Sequence, residues 1–310
     1  MDYSNLLQKS LNISWKHKIL WILGFFAASS GFFSVFEKED FGDIPAGWFH
    51  NFDISTVHEI GDWLTEGPLI AIGVSVIGLI LLLVLGLFIM QLISVAGLIE
   101  GVNLIEQGRE YKLKELFKTG GRYFWRFLGL FFISLLVGII MVMLLIGPVV
   151  IGFIVFKVLG LLILIFIIPI GFAAVFFFGN IYSLAQREMV IYDTPLIDSI
   201  TEGFRLLIKH VGPNIIIFLI TLFLWMAIVI SGVIIFAIFA IPIAIFSSMS
   251  LAFLIISLVF IIPVFLAVAI IVEGFLGTFF NSFFTLFYLA LRKLTPKETV
   301  PSNAGPAPAE

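Results

Sequence analysis

Three groups of residues in this chain could do chemistry, and their surroundings differ. Glu273 is the one charged side chain between Lys209 and Arg292, and Lys157 the one between Arg126 and Arg187. An ionisable group in so apolar a stretch costs about 2.5 to 3.5 kcal/mol on insertion scales and is by default a functional hypothesis. Arg292 marks one interface, and a helix from Arg292 back to Glu273 is about 28 Å long. Glu273 therefore reads first as an acid at the far surface, with a buried pair to Lys157 and ion or proton coupling as alternatives. The second group is the basic run Arg109, Lys112, Lys114, Lys118, Arg122 and Arg126, which could hold anionic headgroups. The third is His50 and His58 near Asp53, Glu59 and Asp62. His58-Glu59-x-x-Asp62 lacks the i, i+4 histidine pair of a zinc helix, so no metal site is expected.

Other polar groups have simpler readings. Gln91, Asn180 and Asn281 could hydrogen-bond between helices at about 0.6 kcal/mol each, with a polar substrate cavity as the sharper alternative. Glu100 and Glu106 are expected beyond the hydrocarbon, facing solvent or the basic run. Gly97 and Gly101 form a GxxxG pair that suits internal helix packing more than dimerisation. His17 and His210 lie among basic residues and need no special role. No phosphate-cradling loop, serine elbow or dinucleotide fingerprint is present. With no cysteine, thiolate catalysis and Cys-based metal sites are excluded. No catalytic constellation and no cofactor are expected, and the chain reads as non-enzymatic.

The elements that must carry these residues follow from composition. Of the 310 residues 61% are apolar and only 12% charged, with a mean hydropathy of +1.19, far beyond the soluble range of about 45 to 50% apolar. This is an integral membrane protein. A hydrocarbon core of about 30 Å needs roughly 20 apolar residues as helix, and lipid offers no backbone partner. The expected fold is an all-α polytopic bundle with six spans near 19–36, 68–96, 124–147, 157–184, 214–240 and 253–291. Pro148, Pro169, Pro242 and Pro263 interrupt the apolar segments, and the last is long enough for Pro263, or Gly274 with Gly277, to break it.

All of the 17 Lys and Arg except Lys38 and Lys157 fall on one side of such a bundle. The positive-inside rule makes that side cytoplasmic, with both termini there. The opposite face carries an acidic loop, 37–67, with Lys38 against Glu37, Glu39, Asp40, Asp43, Asp53, Glu59, Asp62 and Glu66. Within it, 53–64 has helical apolar spacing and reads as a short surface helix with Trp63 at headgroup level.

Amphipathic segments at 7–20, 113–128 and 196–211 precede the odd-numbered spans, a pattern that divides the single membrane domain, 1–293, into repeat units of about 1–108, 109–193 and 194–293. Each unit would be an interfacial helix and a hairpin. Their apolar faces (Leu6, Leu7, Leu11 and Trp15; Leu113, Leu116 and Phe117; Ile197, Ile200, Phe204 and Leu207) are expected in the acyl boundary. Gly120-Gly121 would turn the second onto the membrane normal. Thr194-Pro195 would start the third and Gly212-Pro213-Asn214 end it. The tail, 294–310, is rich in Pro and Ala and expected to be disordered.

Ser14-Trp-Lys-His-Lys-Ile-Leu-Trp-Ile-Leu-Gly24, Asp198-Ser-Ile-Thr-Glu-Gly-Phe-Arg-Leu-Leu-Ile-Lys209 and Leu286-Phe-Tyr-Leu-Ala-Leu-Arg292 resemble the membrane domain of glycerophosphoryl diester phosphodiesterase-like proteins and related bacterial and archaeal membrane proteins. The resemblance implies a multi-pass protein of a prokaryotic cytoplasmic membrane. It carries over no catalytic residue, because the metal-dependent barrel that follows this domain in those proteins has no counterpart in the tail. The functional expectation is a lipid-interacting, accessory or scaffold protein, with membrane lipids, anionic headgroups and a membrane protein as partners and no nucleic acid. A transporter or permease subunit for an apolar or lipid-like substrate is the alternative.

Overall fold

The computed structural model describes residues 1–36, 67–155, 157–247 and 251–295, and every regular element among them is an α-helix. In chain order these are α1 (Tyr3–Lys16), α2 (Leu20–Phe36), α3 (Gly67–Glu106), α4 (Leu113–Val155), α5 (Lys157–Tyr192), α6 (Leu196–Lys209), α7 (Val211–Ser247) and α8 (Leu251–Leu294). Five contain segments long and apolar enough to cross a membrane: Val74–Glu106, Leu113–Ile154, Gly160–Tyr192, Val211–Pro242 and Val259–Leu294. That is the build of a multi-pass membrane protein. The span expected near 19–36 falls on α2, which is 17 residues long. The acidic loop, for which a surface helix is expected, His50 and His58, and the tail from 296 lie outside the described residues, as does the side chain of Lys157.

The long helices α3, α4, α5, α7 and α8 run 36 to 44 residues, which is about 54 to 66 Å and roughly twice the hydrocarbon thickness. The breaks expected within them are absent. Pro148, Pro169, Pro242 and Pro263 all sit inside continuous helices. Such prolines are tolerated in spanning helices because neighbouring groups and local adjustments satisfy the freed carbonyl. The corner expected at Gly120-Gly121 is also absent, since α4 runs straight through it. Gly120 instead lies against the backbone carbonyl of Ile93 on α3, where a Cβ would collide. Nor does Gly212-Pro213-Asn214 end the third amphipathic helix. That helix stops at Lys209, and Pro213 falls in the first turn of α7, where its missing N–H has no intrahelical partner to lose.

The real boundaries have local causes. Gly108 takes φ +68 after α3, with Arg109 N–H bonded to Leu104 O and Gly108 N–H to Ile105 O, the Schellman pattern that terminates helices. Asp193, at φ 52, closes α5 with a residue type that tolerates the left-handed region. α6 then starts with Pro195 as its N-cap. Thr194, expected to cap it, points its hydroxyl back to the carbonyl of Glu188 at 3.3 Å.

The helices pack mainly at the end where charged residues gather. One core joins α3, α4 and α5 through Ala96, Ile99, Phe127 and Met189. A second joins α5, α6, α7 and α8 through Leu206, Leu207, Ile217, Phe283 and Tyr288. A third ties α1 and α2 to α3, α4 and α8 through Ile13, Leu20, Leu98, Leu116 and Leu286. In the last, α2 and α8 meet backbone to backbone. A Cβ on Gly277 would strike the carbonyl of Gly24, and Thr278 Oγ1 donates to Leu20 O at 3.0 Å. Gly97 and Gly101 pack internally as expected, against Leu116 of α4. At the other end, Leu79–Leu85, Met143–Leu144, Ile165–Phe166, Val233–Ile234 and Val259–Phe260 are exposed, an outward apolar surface whose natural solvent is lipid.

Candidate functional site at the charged end

The basic run divides by partner. Arg122 and Arg126, one turn apart on α4, both pair with Asp193, each at 2.6 Å. Arg126 also donates to the carbonyls of Asp193 and Thr194 at 3.2 and 3.4 Å. The α5–α6 turn is thereby tied to α4. Arg109, Lys112, Lys114 and Lys118 are exposed and make no ion pair among the described residues. Trp125, 75% exposed on α4, follows them in the chain.

The amphipathic segments are only partly superficial. Leu116 is fully buried and Leu113 and Phe117 pack around the third core, so the face expected in the acyl boundary lies within the protein. Leu207 is likewise buried. Ile197, Phe204 and Ile208 remain as an exposed apolar stripe on α6. Leu11 and Trp15 are exposed on α1, whereas Leu6 and Leu7 pack against the cores. Glu106 takes Lys9 of α1 at 2.6 Å and does not face the basic run. His17 Nδ1 meets Tyr111 Oη at 2.8 Å, and His210 Nε2 meets Thr295 Oγ1 at 2.8 Å. Burial, and then Lys16, holds His17 below the usual imidazole range; burial, and then Lys209, does the same to His210.

Deeper in, a charge cluster locks three helices. Arg292 of α8 pairs with Glu188 of α5 and with Glu202 of α6 at 3.1 Å. Tyr288, one turn before Arg292, donates its hydroxyl to Glu188, and Thr194 Oγ1 reaches the same carboxylate at 3.3 Å. Glu188 and Tyr288 are fully buried, and Arg292 nearly so. Arg205 completes the set on Glu202 at 3.1 Å, so two cations balance two carboxylates.

Arg187, one residue from Glu188, turns to a different face of α5. Its side chain is buried, and Nη1 donates to the carbonyl and hydroxyl of Ser183 at 2.7 and 2.9 Å. The guanidinium lies 5.4 Å from the Phe284 ring centroid. Among the described residues no carboxylate pairs with it, and Nε has no hydrogen-bond partner. It lines a cavity of about 280 Å³ between α2, α3, α5 and α8, along with Gln91, Tyr182, Gln186 and Asn281.

By spacing alone Arg187 belongs to the connection between the fourth and fifth expected spans and Arg292 marks an interface, and nothing in that spacing singles out Glu188 or Tyr288. A usable signal was present. Tyr182, Ser183, Gln186 and Arg187 recur at i, i+1, i+4 and i+5, a polar stripe on a helix that otherwise has none. Of the amides singled out, Gln91 and Asn281 share the cavity, while Asn180 donates to Phe176 O of its own helix at 2.8 Å. Glu273 lies half-buried on α8 with its Oε2 unpartnered.

Comparison with protein-family models, with curated proteins and with solved structures gives no match for this chain.

Proposed function

We propose that this chain is a non-enzymatic integral membrane protein whose charged end gathers anionic lipid headgroups, serving as a lipid-interacting, accessory or scaffold component of a prokaryotic cytoplasmic membrane. The carrying observation is that Arg109, Lys112, Lys114 and Lys118 are exposed and unpaired among the described residues, while the apolar surface lies at the opposite end. Basic side chains near a membrane surface contribute about 1 kcal/mol each toward anionic lipid, and the exposed Trp125 suits headgroup level. With α2 as a sixth span, the hairpins α2–α3, α4–α5 and α7–α8 would be the three repeats, each formed by touching helices. Both termini would then be cytoplasmic. The likeness to the membrane domain of glycerophosphoryl diester phosphodiesterase-like proteins belongs to this reading, implying architecture and no catalysis.

The test is retention of lipid on purified protein. Replacing Arg109, Lys112, Lys114 and Lys118 together by Gln should lower co-purifying anionic lipid severalfold without changing zwitterionic lipid. Unchanged anionic lipid rejects the reading. A transporter or permease subunit for an apolar or lipid-like substrate is the second reading, supported by the cavity between α2, α3, α5 and α8. It loses the argument from broken helices, since the prolines do not interrupt them. It predicts saturable movement of a labelled lipid across reconstituted vesicles.

A further inference from the structure

A guanidinium removed from water without an acid beside it leaves its desolvation penalty standing, and proteins ordinarily remove that penalty with a carboxylate or hydrogen bonds to every donor. Here no carboxylate among the described residues pairs with Arg187. Glu188 and Glu202 are taken by Arg292, Arg205 and Tyr288, a set that is neutral without Arg187. The cavity beside Arg187 contains no acidic side chain, so its net character is one positive charge.

The cavity has the other features of a built site. Arg187 is 3% exposed and Nε, a donor aimed by a planar and rigid group, is unpartnered among the described residues. Ser183 holds Nη1 and the Phe284 ring lies beside the guanidinium, so the fork is oriented in advance of any ligand. Gln91, Gln186 and Tyr182 add polar groups from two helices, and Leu92, Val95 and Phe280 supply apolar wall. Gln91, Tyr182, Ser183, Phe280 and Asn281 are only half-buried, so the cavity is open to an incoming group. At about 280 Å³ it is at the small end of ligand sites, sized for a headgroup rather than an acyl chain.

We infer that this cavity is an oxyanion site in which Arg187 binds a phosphate group, supplied by the headgroup of an anionic lipid whose chains run out along the apolar wall. Arginine matches phosphate oxygens with paired N–H donors and does so most strongly where water is excluded. The inference deepens the lipid-binding reading and rests on it for the source of the phosphate, but the site is separate from the exposed basic run.

The experiment follows thermal unfolding of the full chain in a neutral maltoside detergent with three additives: dihexanoyl phosphatidic acid, dihexanoyl phosphatidylcholine and inorganic phosphate. Phosphatidic acid should raise the transition by several degrees in a saturable manner, and phosphatidylcholine should not. Arg187→Gln should weaken the apparent affinity about 10- to 100-fold, as expected for hydrogen bonds to a charged group. Gln91→Phe, which fills the cavity and leaves Arg187 in place, should do the same and serves if Arg187→Gln does not fold. An equal, Arg187-dependent shift with inorganic phosphate keeps the oxyanion site and overturns the lipid as its source. A shift that survives both substitutions, or no shift with either phosphate, overturns the site. The Gln replacement of Arg109, Lys112, Lys114 and Lys118 should leave the shift intact, so failure of the surface reading and failure of this one are separately visible.

Discussion

At the apolar end the outward side chains are Leu, Ile, Val and Phe, while at the charged end the inward ones include Glu188, Arg292, Arg187 and Tyr288. The two ends use opposite rules because they answer to different solvents. Lipid tails are as apolar as leucine, so nothing drives the rods of the apolar end together beyond van der Waals contact, and their surfaces stay outward. Toward the charged end polar groups are taken inside, with Glu188, Arg292 and Tyr288 matched to one another and Arg187 left facing a cavity. Most of the helix-to-helix specificity is therefore carried there, by ion pairs across α5, α6 and α8 and by the backbone contact of α2 with α8.

The contrast can be broken at several points, taken from the largest expected effect to the smallest. Glu188→Ala strands Arg292 with only the less buried Glu202 and should cost about 3 to 5 kcal/mol, the usual effect of removing one partner of a buried pair. Replacing Glu188 and Arg292 together by Leu and Met should recover most of that loss, read as the unfolding transition in detergent. An equal loss in single and double variants would mean that packing rather than charge holds the three helices. At the other end, Leu82, 68% exposed, should resist Leu82→Lys by about 2.5 to 3.5 kcal/mol in a membrane-insertion assay. Free insertion would show that this surface does not meet lipid.

Gly277→Val forces a side chain onto the backbone of Gly24 and should destabilise by about 1 to 3 kcal/mol; the same change at Gly78, where a Cβ meets nothing within 4 Å, serves as the control. Asp193→Asn removes two exposed ion pairs at about 0.2 to 1 kcal/mol each while keeping a side chain that tolerates φ 52. It also releases Arg122 and Arg126, so co-purifying anionic lipid should rise; a fall would contradict the proposed role of the basic run.

The smallest effect is a pH dependence. Burial lowers the pKa of His17 and of His210 in the folded chain. The unfolded chain therefore takes up protons first on acidification. Their contribution is intact above the ordinary imidazole pKa of about 6.5 and is lost as pH falls from there through the lowered folded values. The transition temperature should drop modestly from pH 7.5 to pH 5, and His17→Gln with His210→Gln should flatten that part of the curve.

Much of the architecture was legible beforehand because bilayer thickness and charge scarcity are written residue by residue. Uncharged apolar runs announce spanning helices whatever their neighbours do, and five such helices are present among the described residues. Helix ends were less legible: Gly108 and Asp193 stop their helices through left-handed backbone that no apolar pattern marks, and the prolines do not break helices that neighbouring structure sustains. The site was less legible. Arg187 and Arg292 look alike in a list of basic residues at one side of the membrane, and Leu116 looks like any other apolar residue on an amphipathic stripe.

By itself, then, the sequence determined an all-helical chain with a membrane-compatible surface and a basic end, since hydropathy and charge act independently of partners. Only the tertiary structure decided that Arg292 meets two carboxylates from other helices, that Gly120 serves a contact and not a corner, and that Arg187 is left with a cavity in place of an acid. Those outcomes depend on which faces of α3, α5 and α8 meet, and helix phase at a distance of 100 residues is a property of packing rather than of any local run of residues.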